Sequence, residues 1–272
     1  MDLTTLSSDH ELTAATITTL NKAYAAGLQV IVATGRPVNA LQPIIDKLGM
    51  DEVPAVCFNG ACAIMMSANK PEKNRILLSN GLNAELTLRI IHFCREHHMC
   101  ISFALPTGSI ASPQDETQEQ QLLEFEEREN VTQERVPDTM ELVNQGILPL
   151  KIVALAENPD HVAAMAKETL PDDICYVVAA ESHIEFLSPG ICKGFTLSKL
   201  CSEHLQLPLD RIMAFGDNHN DKEMLTLVGE GVAMKNAKDA VKHVAHRVSN
   251  WTNDDEGVAR EVEALLTTHA VT

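Results

Sequence analysis

Two aspartates, Asp217 and Asp221, stand four residues apart directly after an apolar run, residues 212–215. The run is predicted to form a buried parallel strand, and a helix is predicted to begin after Asp221. Open α/β sheets bind their ligands at the carboxyl ends of strands, where this spacing puts both carboxylates. Mg²⁺ takes oxygen ligands and usually binds one or two carboxylates together with phosphate oxygens. The spacing therefore suits a Mg²⁺ site, and equally a turn at Asp217 with a helix cap at Asp221.

The acidic composition narrows the range of partners. The 272 residues include 38 Asp and Glu against 21 Lys and Arg, for a formal net charge of −17. Nucleic acid and anionic membrane surfaces repel such a protein, so neither is an expected partner. No apolar run approaches the roughly 20 residues that cross a bilayer. An anionic small substrate would need a local cation, which draws attention to lysines and arginines near acidic motifs.

The seven cysteines form no Cys-x-x-Cys pair, and no signal peptide is visible. We therefore expect reduced, mostly buried thiols in a cytoplasmic protein. Cys192, beside Lys193, is a candidate nucleophile, but a packing role is the simpler interpretation. The eleven histidines show no metal-binding spacing and are expected mostly at the surface.

Alternating helical and apolar segments predict an α/β fold with a doubly wound, Rossmann-like, mostly parallel sheet. A helix is predicted over residues 13–26, and a strand over residues 28–33 leads into Thr34-Gly35-Arg36-Pro37. After a second helix that ends near residue 48, a short strand over residues 55–58 leads into Asn59-Gly60-Ala61. Polar or glycine-containing motifs thus follow each strand. In this fold, functional groups lie at the carboxyl ends of the strands.

The middle of the chain is predicted to be an inserted α+β cap domain, residues 82–188. Its acidic stretch, residues 114–135, is expected to form a helix with a solvated face because Leu122, Leu123 and Phe125 supply an apolar side. Residues 1–81 and 189–272 are left as a discontinuous core domain. In its second part, Lys193-Gly194 leads into a helix, and strands and helices again alternate up to a final helix near residue 266.

Several motifs keep the order found in one family. They are residues 33–37, 59–61, 193–194, 216–221 with 224–225, 232–237, 249–250 and 256–259. With these motifs, the chain resembles the haloacid dehalogenase (HAD) superfamily, in particular the Cof-type phosphatases with a large α/β cap inserted between core motifs. The resemblance covers essentially the whole chain, although any one motif alone would be weak.

The resemblance implies roles for five residues. Thr34 matches the hydroxyl that hydrogen-bonds the transferring phosphoryl group. Lys193 matches the lysine that holds that group and the nucleophile's charge together. Asp217 matches a direct Mg²⁺ ligand and Asp221 a ligand that acts directly or through water. Asn220 matches a donor to a phosphate oxygen.

Gly35, Arg36 and Asn59 are implied neighbours of the phosphate or substrate. Without the resemblance, Arg36 would be interpreted as one half of a surface ion pair. Asn59 would be interpreted as a turn residue in the left-handed conformation.

The N-terminus departs from the family pattern, which is Asp-x-Asp-Gly-Thr-Leu at the end of a buried first strand. There the first aspartate is the nucleophile and the second the general acid/base. Counting back without a gap from residues 6–10, Asp2 falls on the acid/base position and the nucleophile would precede Met1. With a two-residue deletion, Asp2 becomes the nucleophile and a Mg²⁺ ligand, and Thr4 replaces the acid/base. We expect the first strand to be missing and its neighbours to have unpaired edges.

The implied function is that of a Mg²⁺-dependent phosphatase of small phosphorylated metabolites, above all sugar phosphates. The reaction would pass through an aspartyl phosphate while the cap closes to exclude water. Without its nucleophile, the chain would instead be a catalytically inactive relative that binds phosphorylated ligands or a protein partner. A mutase uses the same motifs and differs in its product. The sequence specifies neither the substrate nor the oligomeric state.

Overall fold

A computed structural model describes residues 1, 3–129, 131–171, 174–179 and 182–269. The chain divides into two compact units. The core unit comprises Met1–Leu78 and Cys192–Thr272, and the inserted unit comprises Ser79–Ile191. Among the described residues, no helix has both the length and the apolar character needed to cross a membrane.

The first part of the core unit contains two helices and a four-stranded sheet. Its elements are α1 (Ala14–Ala25), β1 (Val32–Ala33), α2 (Val38–Leu48), β2 (Val53–Cys57), β3 (Cys62–Met66) and β4 (Arg75–Ser79). The strands lie in the order β1-β2-β3-β4, with β1 parallel to β2 and β2 antiparallel to β3. The predicted strand over residues 28–33 is shorter than expected, because β1 pairs with β2 only at Val32 and Ala33. Strands β3 and β4 were not predicted.

The inserted unit is a six-stranded sheet with helices on both faces. Its elements are α3 (Ala84–Glu96), β5 (Ile101–Leu105), β6 (Gly108–Ala111), α4 (Glu116–Glu129), β7 (Glu134–Arg135), α5 (Thr139–Asn144), β8 (Lys151–Leu155), α6 (Pro159–Thr169), β9 (Tyr176–Ala179) and β10 (His183–Leu187). The strand order is β7-β6-β5-β8-β10-β9. One face carries Phe103 and Phe186 into a cluster with residues of α3, α5 and α6. The predicted acidic helix is confirmed as α4, whose Leu122 and Phe125 pack with Val153 on the other face.

The second part of the core unit alternates strands and helices. Its elements are α7 (Lys193–Leu200), β11 (Met213–Gly216), α8 (Lys222–Leu227), β12 (Glu230–Ala233), α9 (Asp239–Lys242), β13 (Arg247–Val248) and α10 (Gly257–His269). Strand β12 lies between β11 and β13 and is parallel to both. The α/β class with an inserted α+β unit, predicted from the sequence, is confirmed.

The core strands are divided between two sheets, and each sheet ends in a short parallel strand. Within the described residues, β1 is an edge of the four-stranded sheet and β11 an edge of the three-stranded sheet. Ile31 and Ala33 pack against a cluster that includes Ala214 of β11, and also against a cluster that includes Val56 of β2. Apolar packing therefore joins the two sheets into one core. The missing first strand and the unpaired edges stay predictions.

None of the seven cysteines, all of them among the described residues, forms a disulfide; six are buried and Cys192 is partly exposed. The sulfur of Cys192 accepts a hydrogen bond from the backbone N–H of Phe195 at 3.4 Å and so caps α7. The expectation of reduced, mostly buried thiols is confirmed.

Candidate active site

The carboxylate of Asp221 closes the turn that follows β11. One of its oxygens, Oδ2, accepts hydrogen bonds from the backbone N–H groups of Asp217 and Asn218, each at 3.1 Å. Gly216 permits this close approach, because a Cβ added there would lie 2.5 Å from Cβ of Asp221. Asp221 stands at the N-cap of α8, but its side chain makes no cap hydrogen bond to that helix, so the interpretation of Asp221 as the cap of α8 is wrong. Its Oδ2 instead caps the short helical turn His219–Asp221.

The second oxygen of Asp221 forms a buried ion pair with Lys193. The distance from Lys193 Nζ to Asp221 Oδ1 is 2.7 Å, and each residue is only 3% exposed. Burying two charges is favourable only when they are paired and hydrogen-bonded, a condition that this pair and the two backbone donors meet.

Lys193 owes its position to the turn between β2 and β3. Gly60 in that turn has a φ of 111°, and a Cβ there would lie 2.4 Å from the carbonyl oxygen of Cys192. Thr196 in α7 donates a hydrogen bond from its hydroxyl to the carbonyl oxygen of Gly60 at 2.6 Å. The turn and the first residues of α7 are thus in direct contact, and this contact fixes the start of the helix that carries Lys193.

Asp217 is also buried, at 8% exposure, and its environment differs from that of Asp221. Its Oδ1 accepts a hydrogen bond from the hydroxyl of Thr4. Burial raises the pKa of Asp217, the Thr4 hydrogen bond opposes this, and the charge of Asp221 adds to the rise. Burial would raise the pKa of Asp221 as well, but the charge and hydrogen bond of Lys193 outweigh it and hold that pKa below its usual range. Asp221 is thus neutralised by a cation, whereas Asp217 is held by a neutral hydroxyl.

A second group of predicted residues connects the ends of β1, β2 and β11. Thr34 is fully buried after β1, and its hydroxyl oxygen accepts a hydrogen bond from the backbone N–H of Arg36 at 3.0 Å. Asn59 donates its backbone N–H to the carbonyl oxygen of Thr34 at 3.1 Å. The side-chain Oδ1 of Asn59 accepts a hydrogen bond from Nδ2 of Asn220 at 2.8 Å. Since Asn220 precedes Asp221, this bond joins the second group to the turn that carries the carboxylates.

Asn59 has a φ of 57°, so the interpretation of it as a left-handed turn residue is correct, and its side chain serves the site as well. A Cβ on Gly35 would lie 2.9 Å from Oδ1 of Asn59, so only glycine fits without displacing that side chain. Arg36 is partly exposed, and its carbonyl oxygen accepts a hydrogen bond from the N–H of Phe58 at 3.1 Å. The substrate contacts predicted for Gly35 and Arg36 stay predictions.

The remaining predicted site residue, Asp2, lies outside the described residues. Within the described part of the chain, no three His, Cys, Asp or Glu side chains are grouped so that they could hold a metal ion. Asp217 and Asp221 are thus the two carboxylates that the structure shows at this turn. In the described residues, Oδ2 of Asp217 accepts no hydrogen bond, which leaves it available as a ligand.

Two residues at this end of the core, Asn236 and Asn253, were not predicted as members of the site, and Thr4 was predicted only as a replacement for the acid/base. Thr4 contacts Asp217, and Asn236 and Asn253 bind the backbone near Thr4. The sequence alone does not reveal these contacts, because the partners lie far apart along the chain. A buried asparagine in an otherwise polar loop, as at Asn253, is the signal that points to such a role once burial is known.

Known proteins that are similar to this chain include a family of hydrolases and several phosphatases. The chain matches the family model described as haloacid dehalogenase-like hydrolase over residues 1–262. It is similar to pyridoxal phosphate phosphatase YbhA of Escherichia coli (strain K12), with 29% identity over 98% of this chain and 96% of the relative. It is also similar to 5-amino-6-(5-phospho-D-ribitylamino)uracil phosphatase YitU of Bacillus subtilis (strain 168), with 27% identity over 96% of this chain and 93% of the relative.

A solved structure shows the same fold. The crystal structure of TM0651 from Thermotoga maritima superposes with a TM-score of 0.82 at 23% identity, covering 96% of this chain and 93% of that chain.

Proposed function

We propose, from the premise that this chain belongs to the haloacid dehalogenase-like hydrolase family and is a phosphoric monoester hydrolase, that it is a Mg²⁺-dependent phosphatase of small phosphorylated metabolites. By their names, the two relatives above act on pyridoxal phosphate and on a phosphoribitylamino-uracil, which are both small phosphate monoesters. Sugar phosphates, favoured by the sequence, are the first substrates to test. We further propose that the inserted unit is the cap of this enzyme and that the protein is cytoplasmic.

The buried pair of Lys193 and Asp221 next to Asp217 carries this proposal. The ammonium group of Lys193 has three donors, and Asp221 takes one of them. The others can stabilise the negative charge that collects on phosphoryl oxygens during transfer. Thr34 and Asn220 are proposed to hydrogen-bond the same oxygens. Donors that the fold holds in place before the substrate arrives lower the barrier, because they need no reorganisation during the reaction.

The donor set fits Mg²⁺. Asp217 offers a carboxylate oxygen, and Asp221 would act through water because both of its oxygens already accept hydrogen bonds. Asp2 is the further carboxylate proposed as a ligand. When bound, Mg²⁺ supplies electrostatic stabilisation of the phosphoryl charge and a template for its orientation.

We assign the nucleophile to Asp2, two positions before the Thr4 hydroxyl that contacts Asp217. Its carboxylate oxygen would attack phosphorus in line while the ester oxygen leaves and takes up a proton. Water would then cleave the resulting acyl phosphate, which regenerates the carboxylate and releases inorganic phosphate. Lys193 would balance the charge that is shared between the nucleophile and the phosphoryl group.

The test is hydrolysis of an aryl phosphate at varied Mg²⁺, with Asp217→Asn and Asp2→Asn as variants and the exposed Asp210→Asn as the matched control. Each of the two site variants should lower turnover at least about a hundred-fold, the cost of losing one electrostatic partner of the transition state. Full activity of Asp217→Asn would refute the site, and full activity of Asp2→Asn would refute the assignment of the nucleophile.

Product analysis with sugar phosphates and pyridoxal phosphate tests the reaction type. Release of inorganic phosphate is expected, whereas transfer of phosphate to a second metabolite would identify a mutase. Binding of phosphate esters by the folded parent without any turnover would identify an inactive binding protein.

A further inference from the structure

The N-terminal turn, residues 3–8, is held against the core unit by both packing and hydrogen bonds. Leu6 in this turn is fully buried, although it lies near the start of the chain. The carbonyl oxygen of Met1 accepts hydrogen bonds from the backbone N–H groups of Thr4, Thr5 and Leu6, at 3.2, 2.9 and 3.0 Å. The backbone is thus folded tightly around the residue that contacts Asp217.

Two asparagine side chains hydrogen-bond to the backbone on either side of Thr4. Asn236 Nδ2 donates to the carbonyl oxygen of Leu3 at 2.8 Å, and Asn253 Nδ2 donates to the carbonyl oxygen of Leu6 at 3.1 Å. The asparagines are joined to each other, because the backbone N–H of Asn253 donates to Oδ1 of Asn236 at 3.2 Å. We call Asn236 and Asn253 the asparagine clasp.

The clasp stands on the same sheet as the candidate active site. Asn236 follows β12 and Asn253 follows β13, while Asp217 follows β11. These three strands are adjacent and parallel, so their carboxyl ends lie side by side at one edge of the sheet. Asn253 is only 5% exposed, which is unusual for an asparagine and shows that its amide is committed to internal partners.

We propose that the asparagine clasp is a positioning device for the proposed metal ligand: it holds the N-terminal turn so that the Thr4 hydroxyl donates to Oδ1 of Asp217. This hydrogen bond uses one carboxylate oxygen and leaves Oδ2 for the cation, in a fixed orientation. Asn236 and Asn253 touch neither substrate nor metal in this scheme and act through Thr4. The inference rests on the proposed role of Asp217 as a Mg²⁺ ligand.

The alternative is that the clasp only stabilises the fold. The two cases differ in what the isosteric change Asn253→Asp alters, since it removes the side-chain donor at nearly constant volume. If the clasp is purely structural, Asn253→Asp should lower the thermal stability and change nothing else. If the clasp positions Asp217, the same variant should in addition weaken the response of the activity to Mg²⁺, while KM for the phosphate ester stays unchanged.

The experiment compares Asn253→Asp, Thr4→Val and their double variant with Asn250→Asp, a control at an exposed asparagine three residues away. Calorimetry measures the Mg²⁺ affinity, and aryl phosphate hydrolysis measures the half-saturating Mg²⁺ concentration. We expect a roughly ten-fold loss in both measurements for each single variant, because each should disrupt the charge-assisted hydrogen bond from Thr4 to Asp217. The double variant should be no worse than either single one, and Thr4→Ser should recover most of what Thr4→Val loses.

An unchanged Mg²⁺ response in Asn253→Asp, or additive losses in the double variant, would overturn the proposal. Hydrogen exchange of the amides of residues 4–6 provides a readout that does not depend on activity. These amides should exchange faster in Asn253→Asp than in Asn250→Asp, and equal rates would show that the clasp does not hold the turn. A parent that binds no Mg²⁺ would refute the proposed function and with it the role of the clasp, even if the exchange result shows that the clasp holds the turn.

Discussion

Replacement of Lys193 by methionine tests whether the buried ion pair is needed for both stability and catalysis. The change keeps an unbranched side chain as far as the ε position and removes the ammonium that lies 2.7 Å from Oδ1 of Asp221. Breaking a buried pair from one side costs about 3–5 kcal/mol, because it leaves a buried charge without compensation. Two backbone N–H groups still solvate the other oxygen of Asp221, so we expect about 3 kcal/mol at neutral pH, near the lower limit.

The pH dependence of this loss follows from the pKa of Asp221. In the parent protein, Lys193 holds that pKa below its usual range although burial opposes it. In Lys193→Met burial prevails, so the pKa should rise above its value in the unfolded chain. A carboxyl group of this kind destabilises the folded state increasingly as the pH rises through its pKa. The deficit relative to the parent should therefore be largest at neutral pH and should shrink as the pH falls toward 4.

The assay is urea unfolding followed by the fluorescence of Trp251, the only tryptophan of the chain, which belongs to the core unit. The exposed Lys235→Met serves as the control. The double variant Lys193→Met/Asp221→Asn removes both charges, so it should regain most of the stability while it stays inactive. A loss below about 1 kcal/mol, the level of an exposed pair, would refute the reasoning, as would an equal loss at pH 4 and pH 7.

Two further changes test other parts of the structure. Gly60→Ala should cost about 1–3 kcal/mol more than Gly27→Ala in the same unfolding assay, and should lower kcat by displacing Lys193. Both glycines have positive φ, but only at Gly60 does the new Cβ meet backbone; equal losses would argue against a role for this contact. Glu185→Gln tests the inserted unit, where Lys151 and His183 overcome the effect of burial and lower the pKa of Glu185 to about 2. The fall of this pKa from its ordinary value of 4.5 corresponds to about 3 kcal/mol of folding stability. This stability is present above pH 4.5 and is lost as the pH falls toward 2. Calorimetry should therefore show that Glu185→Gln is destabilised at neutral pH and that the difference disappears in acid.

The sequence predicts those features that depend on local patterns. The helix over residues 116–129 follows from its apolar stripe, and the position of Lys193 at a helix start follows from the glycine motif around it. The strand over residues 28–33 was predicted too long because apolar character does not show where a partner strand lies. Leu28 is 41% exposed, since β2 pairs only with the last two residues of the run.

Strand β3 was missed although the sequence contains a signal for it. Asn59-Gly60 stands between two apolar runs, and an Asn-Gly pair in that setting indicates a hairpin turn. Asn59 was interpreted as a neighbour of the phosphate or as a turn residue, but no hairpin was predicted from the pair. In the structure they do both: they reverse the chain from β2 to β3, and they contact Thr34 and the start of α7.

The different hydrogen-bond partners of Asp217 and Asp221 could not be predicted from the spacing of the two residues. Four residues of separation place both at the end of β11, but their roles depend on partners far away in the sequence. Asp221 is paired with Lys193, 28 residues earlier, and Asp217 with Thr4, 213 residues earlier. Because Asp221 has both oxygens occupied and Asp217 has one available, a cation that reaches this turn would bind Asp217 directly and Asp221 through water. The resemblance leaves open whether Asp221 binds directly or through water, and on the basis of these hydrogen bonds we propose binding through water.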